Sequence, residues 1–437
     1  MPAVPQTAFL VLISLLTLSS ASPSDLPNLY LRTTIRTSTP THNRPSHLFV
    51  LQRACQSEQC HQKALQFLLQ NHCQNLILFD HLRMIKAKCS PKALQNARRS
   101  RRFIGIHRDE VIKLAAPLHD TTSAAPLRMS TTLRPAHERS FQRISNLSFY
   151  PDRTAAVAHD GGVVDLSAQK TARRCSKHGG EGVTVYVIDT GCRSSHEQLR
   201  GRVHTMVAPG SAYISGEDDH GHGTHVAATI GGRDFGIAPR AKLVCIKALS
   251  ERNEGSAHDV VAGVQLAMRL HKAEHGPGVI SISLGGRAGR RKTALDAAVD
   301  AASRAGLSFV VAAGNAGADA CAFTPGRARM AITVAAVDER GKVAGFSNSG
   351  GCVSVGAPGV RVWSAVADGD DAYGVSSGTS MAAPFVSGLV ALLVGDNGRT
   401  RPRTVRKWLR EIGFTGDDGV PVVSAKEFCE WRRFQRA

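Results

Sequence analysis

Residues 182–189 read GVTVYVID, a glycine followed by an unbroken run of β-branched and aromatic side chains that closes on an aspartate. A continuous run of this length fits a strand buried on both faces, because a strand with one wet face would alternate. Four more runs of the same kind follow: AKLVCIKAL (241–249), GVISISL (278–284), LSFVVAAG (307–314) and AITVAAV (331–337). Between them, HDVVAGVQLAMRLHKAEH (258–275) and TALDAAVDAASRAG (293–306) repeat apolar residues at helical spacing. That alternation predicts an α/β fold, a mostly parallel sheet flanked by helices. Beyond residue 395 the pattern adds one helix, TVRKWLREIG (404–413), and no further domain.

Toward the N-terminus the texture changes. Residues 8–18 form an apolar run too short to span a membrane and are followed by small residues, so 1–21 reads as a signal peptide. Residues 22–45 are rich in Ser, Thr and Pro and read as a flexible lead-in. SHLFVLQ (46–52) reads as a strand, CHQKALQFLLQ (60–70) as a helix and NLILFDHLRMI (75–85) as a second strand. A helix from Pro91 and a strand over FIGIHRDEVIKL (103–114) then complete a small α+β unit, 46–117. A Thr-, Ser-, Ala- and Pro-rich linker, 118–140, separates it from the domain at 141–437.

The 437 residues carry 54 Lys and Arg against 35 Asp and Glu, a net +19. Residues 1–140 hold 18 basic and 7 acidic side chains, so more than half of the excess sits in the first third. Aromatic residues make up only 5%, too few to build stacking platforms for bases, and a nucleic-acid partner is not expected. Ten cysteines in an exported chain point to disulfides. Four of them, Cys55, Cys60, Cys73 and Cys89, lie in the α+β unit and allow three pairings. The absence of any CxxC argues against zinc.

In an α/β sheet, chemistry gathers beyond the carboxyl ends of the strands. Asp189 closes the first run; alone it could be a turn former, but a carboxylate there would also suit an imidazole that must gain charge. HGHGTHV (220–226) brings three histidines among glycines. Their spacing does not place two on one helix face with a glutamate between, as a zinc helix requires, so a helix beginning near Gly223 with His222 at its mouth is the better reading. In SSGTSMAAPFVSGLVALLV (376–394), Ser380 opens a helix that is apolar nearly all round. An isolated serine there would be a cap. The same N–H groups and positive dipole end would equally stabilise an oxyanion if its hydroxyl attacked a carbonyl.

Asp, His and Ser in this chain order form one of the known orders of a nucleophilic triad. VIDTG, GHGTHVAATI and GTSMAAP resemble the three signature motifs of the subtilase family of serine proteases, and AAGN (312–315) resembles its oxyanion-hole motif. GIAPRAKL (236–243), SLGG (283–286) and FSNSG (346–350) resemble the proteinase K-like branch. The resemblance covers residues 182–394.

It implies Ser380 as nucleophile, His222 as general base and then acid, Asp189 as the group that orients the imidazole, and Asn315 as oxyanion donor. Ser283, Leu284 and Gly285 would pair with the substrate backbone as an added strand. Ala312, Ala313 and Gly314 would wall a roomy pocket for an apolar or aromatic residue before the scissile bond. These wall segments hold no acidic residue, so a preference for paired basic residues is not expected.

The family likeness also implies that the α+β unit is a prosegment, a folding aid and intramolecular inhibitor, cut off between Leu114 and Pro135, near residues 115–118. RRSRR (98–102) could be a basic processing site, but a solvated charged face is the reading preferred. Cys321 and Cys352 match a disulfide of relatives, whereas for Cys192 and Cys245 a free buried thiol reads as well as a bond. No cofactor is expected. Ser354 stands where many relatives carry a calcium-binding aspartate, so that calcium site is expected to be lost. Ala228 and Ser281 replace a usual glycine and asparagine, changes expected to be tolerated by packing. Asn146 begins a glycosylation sequon, NLS. The expectation is a secreted, monomeric zymogen acting on proteins or peptides. Its rival is a self-cleaving protein that keeps its prosegment bound and works by occupying a partner.

Overall fold

The computed structural model describes residues 45–114 and 172–435, apart from 53, 290 and 417, and the backbone of four short strands, Thr34–Ile35, Leu127–Arg128, Ala155–Val157 and Val163–Asp165. The proposed leader, most of the linker and Asn146 lie outside the described residues.

Nine strands form the large sheet, in the order Val203–Val207, Lys242–Lys247, Thr184–Asp189, Gly278–Ile282, Ser308–Ala312, Ile332–Val337, Val355–Pro358, Pro421–Val422 and Phe414–Thr415. All pairs are parallel except the last. The five continuous runs are strands, and the central ones are buried on both faces, as their lack of alternation requires. Helices Ala257–Glu274 and Ala294–Arg304 cover one face. His222–Gly231 and Thr379–Asn397 share the core of the other.

After Thr184–Asp189 the chain crosses to one side, and after Gly278–Ile282 to the other. The crevice between these neighbouring strands is therefore the topological switch point. Helix Thr379–Asn397 is long and apolar enough to cross a membrane, but it is buried along most of its length in the core.

The small unit is an antiparallel sheet in the order Thr34–Ile35, Gln74–Phe79, Met84–Lys88, Ser46–Leu51, Phe103–Arg108, with helices Glu58–Gln70 and Pro91–Arg99. Two predicted strands are in fact each broken in two. Residues 75–85 turn at Asp80–Arg83, where the Asp80 carboxylate accepts the His81 N–H and Arg83 adopts φ 53°, so Met84–Lys88 returns beside Gln74–Phe79. Residues 103–114 break at Asp109 and Glu110. Phe103–Arg108 stays in the small sheet, while Val111–Leu114 leaves to pair with the large domain.

All ten cysteines are paired: Cys55–Cys60, Cys73–Cys89, Cys175–Cys429, Cys192–Cys245 and Cys321–Cys352. The expected 321–352 bond is present, and the open choice at Cys192 and Cys245 resolves to a disulfide. The expectation of a single helix after residue 395 falls short. Helix Pro402–Ile412 is followed by two strands of two residues that extend the sheet and by a second helix, Ala425–Phe434, whose Phe428 and Cys429 are buried.

Candidate active site

Asp189 ends its strand at the switch point and is 1% exposed. Its Oδ1 accepts the Thr190 N–H at 2.8 Å and the His222 Nδ1–H at 2.7 Å. A buried carboxylate requires partners of this kind, and in return it fixes the ring orientation and the tautomer, leaving Nε2 as the basic atom. His222 Nε2 is buried without a hydrogen-bond partner among the described residues. The other two histidines of the motif point elsewhere: His220 Nδ1 accepts the His222 N–H at 3.3 Å, and His225 Nε2–H donates to the Val362 carbonyl at 3.0 Å.

Helix His222–Gly231 starts at His222 because Gly221, at φ 96°, turns the chain into it. Asp218, which no sequence motif singles out, holds this turn. Its carboxylate accepts the N–H groups of His220, Gly221 and Thr224 and the hydroxyls of Thr190 and Thr224, at 2.6–3.0 Å. Burial pushes the Asp218 carboxyl up, but these hydrogen bonds outweigh it and hold the group below the usual carboxylate range. Thr190 in turn accepts the Gly223 N–H at 2.9 Å, tying the strand end to the helix start. Position 223 must be glycine: a Cβ there would meet the Gly191 carbonyl oxygen at 2.0 Å.

Ser380 is the second residue of helix Thr379–Asn397 and is fully buried. Its Oγ donates to the Ser283 carbonyl at 3.1 Å, and the Ser283 hydroxyl donates back to the Ser380 carbonyl at 3.1 Å. The Ser380 carbonyl can accept that bond because the residue four further on is Pro384, which has no N–H to offer it. The proline of GTSMAAP thus releases an acceptor where the helix meets the strand end.

Asn315 Oδ1 accepts both the N–H and the hydroxyl of Thr379, at 2.9 and 2.8 Å, so the amide nitrogen is turned to the side of Gly378. Asn348, from FSNSG and fully buried, holds the loop that carries Asn315. Its Nδ2 donates to the Ala313 carbonyl at 2.8 Å and its Oδ1 accepts the Ala316 and Ala318 N–H groups at 3.0 Å. A Cβ at Gly314 would lie 2.4 Å from that Nδ2. Ala312 and Ala313 are buried beside it.

Leu284 and Gly285, from the predicted substrate strand, pair antiparallel with Leu114 and Lys113 of the small unit. The other side of this inserted strand was not anticipated: Ser256, Gly255 and Glu254 pair with Val111, Ile112 and Lys113. Ile112 is 3% exposed, and Lys113 Nζ lies 2.6 Å from Glu254 Oε1. Three edge residues show no periodicity; the only local cue was the cap that follows, in which Ser256 and Asp259 form a reciprocal box.

The two departures from the family pattern are accommodated. Ser281 Oγ accepts from Ser387 at 2.9 Å, and Ala228 is buried. The hydroxyl of Ser354 is engaged by the Thr333 N–H at 3.2 Å.

The subtilase family model (Peptidase_S8) matches residues 180–412. Subtilisin-like protease 2 of Pseudogymnoascus destructans is 42% identical over 248 residues, 56% of this chain and 60% of that protein. Subtilase-type proteinase psp3 of Schizosaccharomyces pombe is 44% identical over 220 residues, 49% of this chain and 47% of that protein. The matched segment thus spans about half to three fifths of the curated relatives. A crystal structure of a cold adapted subtilisin-like serine proteinase superposes with a TM-score of 0.52 at 36% identity, covering 57% of this chain and 91% of that one.

Proposed function

The chain belongs to the subtilase family, and from that premise we propose that it is a secreted serine endopeptidase made as a self-processing zymogen. Ser380 attacks the scissile carbonyl, His222 Nε2 takes its proton and later gives it to the leaving amine, and Asp189 stabilises the imidazolium. The Asn315 amide and the Ser380 N–H receive the oxyanion. Ala312, Ala313 and Gly314 favour an apolar or aromatic residue before the cut. No cofactor enters the chemistry, and calcium is not assigned at Ser354. Five disulfides suit the oxidising secretory route.

The observation that carries this reading is the chain's own strand Val111–Leu114, paired on both sides beside Ser380 as a peptide substrate would be. Lys113 stands opposite Gly285 and Leu114 opposite Leu284, next to Ser283, whose carbonyl accepts the Ser380 hydroxyl, so the peptide bond proposed for attack is the one that follows the next residue. Cleavage is therefore expected after Ala115. N-terminal sequencing of the processed protein is expected to begin at Ala116; a start beyond Leu118 would sink the self-cleavage register.

Asn315→Ala is expected to lower kcat about 10²- to 10³-fold with KM little changed, a magnitude that is that of the oxyanion-hole amide of subtilisin itself. Steady-state kinetics on a chromogenic peptide with Phe or Leu before the scissile bond checks it. Ile112→Ala should loosen the bound prosegment by about 2 kcal/mol, roughly 30-fold, so that activity appears sooner after self-cleavage. The length of the lag before peptide hydrolysis reads this out.

The second reading, a self-cleaved binding protein without turnover in trans, is favoured by the extent of the prosegment's seat. Leu48, Val50, Phe79, Leu82 and Met84 share one buried cluster with helices Ala257–Glu274 and Ala294–Arg304, and Asp109 accepts the His258 N–H at the start of the first of these. Co-purification of residues 46–115 with the large domain, together with no peptide turnover, would select it.

A further inference from the structure

A cavity of about 710 Å³ opens at the amino-terminal ends of the large sheet's central strands, the end opposite Ser380. It is lined by Gly278 and Ser308, the first residues of two strands whose other ends lead to Ser283 and Ala312. Val394 also lines it, about 21 Å along its helix from Ser380 at 1.5 Å per residue. The cavity is therefore separate from the cleft.

Its wall is cationic to a degree that packing does not explain. Arg304, Arg329, Arg399, Arg401 and Arg403 line it from three segments of chain, the last three from the single stretch 399–403, and among the described residues none of the five is ion-paired to a carboxylate. The one acidic lining residue, Asp300, pairs with Lys292 through Oδ2, and its Oδ1 is buried without a hydrogen-bond partner among the described residues. A second basic hollow shows the contrast. There Arg233 pairs with Asp234, Arg240 with Glu181, and Arg173 donates to two backbone carbonyls.

Helix dipoles account for Arg304 and Arg399, which stand at the C-terminal ends of helices. They do not account for Arg401 and Arg403. These sit at the N-terminal end of helix Pro402–Ile412, where the dipole disfavours cations, where no acidic residue occupies the first turn, and where Arg401 supplies no side-chain cap. Independently, the Ser303 hydroxyl is buried in the same wall, its residue 4% exposed, and has no hydrogen-bond partner among the described residues. A buried hydroxyl without a partner is costly, and a locally unfavourable helix start is the kind of conflict that a ligand resolves. His271 lies in the same wall; burial, and then the Arg399 charge, push its pKa down, in keeping with a positive field across the cavity.

We propose that this cavity binds a compact polyanion bearing several phosphate or sulfate groups, held by the five arginines, the first turn of helix Pro402–Ile412 and the Ser303 hydroxyl. A single oxyanion would leave most of the volume and charge unused. Guanidinium forks match the geometry of both anions.

Isothermal titration of tripolyphosphate into the full chain carrying Ser380→Ala, which prevents self-digestion, is expected to give one saturable site whose affinity falls steeply with salt. Arg401→Gln combined with Arg403→Gln should weaken it about tenfold or more, and Ser303→Ala about threefold, for the loss of charge-assisted and neutral hydrogen bonds respectively. Arg233→Gln combined with Arg240→Gln removes the same charge from the other hollow and should leave the affinity within about twofold, because those cations do not reach the ligand. A sulfated hexasaccharide titrated in the same series identifies the source. Tighter binding of the phosphate probe assigns the site to a phosphorylated small molecule, and tighter binding of the sugar to a sulfated glycan. No saturable binding of either probe, or equal weakening by the two arginine pairs, overturns the proposal.

Discussion

Ser380→Ala is expected to leave a chain that folds, stays at full length and turns over no peptide. The loss in kcat should be roughly 10⁶-fold, the size found when this serine is removed from subtilisin, the family's own type enzyme. Two features make the effect so large. The hydroxyl sits in the first turn of its helix, next to Thr379, whose N–H and hydroxyl are held by Asn315 Oδ1, and it is the group proposed to attack the scissile carbonyl. The same serine is proposed to make the maturation cut, so a gel and a peptide assay on one preparation should fail together. Folding should survive: the hydrogen bond from the Ser380 hydroxyl to the Ser283 carbonyl is lost, while the reciprocal bond from the Ser283 hydroxyl to the Ser380 carbonyl does not depend on its side chain. A mutant that still released residues 46–115 would show that another group, or another molecule, performs the cut.

Asp189→Asn is expected to lower kcat about 10⁴-fold, because an amide at this position accepts or donates without holding the imidazole in the tautomer that exposes a basic Nε2. The carboxylate is 1% exposed and its Oδ1 already serves the Thr190 N–H and His222 Nδ1–H, so the geometry is preserved by an isosteric side chain. Thermal denaturation should therefore change far less than turnover. Thermal melts beside steady-state kinetics separate the two: a collapse of stability matching the loss of rate would mean that Asp189 is chiefly a structural anchor.

What was legible in the sequence was what short-range pattern encodes. Uninterrupted runs such as TVYVI reported burial on both faces, and Asp189, His222, Asn315 and Ser380 each sit in a motif only a few residues long. Less legible were features whose cause lies far along the chain. Residues 103–114 read as one strand because apolar residues flank the polar stretch His107–Glu110 on both sides; the break at Asp109 is understood only once that carboxylate is found against the His258 N–H. Glu254, Gly255 and Ser256 form a cleft edge because Val111–Leu114 arrives beside them, and no periodicity announces it. Asp218 resembles any acidic loop residue until five donors are seen to surround it. The bond between Cys192 and Cys245 depends on a residue within one strand meeting the loop that follows its neighbour, which composition cannot disclose.

Cys175 and Cys429 stand near the two ends of the described segment 172–435, and their bond closes into one ring a stretch with a sequence separation of 254. The endopeptidase proposed above would live among copies of itself, and its most available victim would be a loose, extended end of its neighbour, since a cleft that captures peptides as added strands can only grip chain that has come away from its fold. With the helical turn at 172–175 riveted to helix Ala425–Phe434, neither of these two segments can peel off alone. Lifetime in a concentrated secretion would then be set by opening of the whole body and not by fraying.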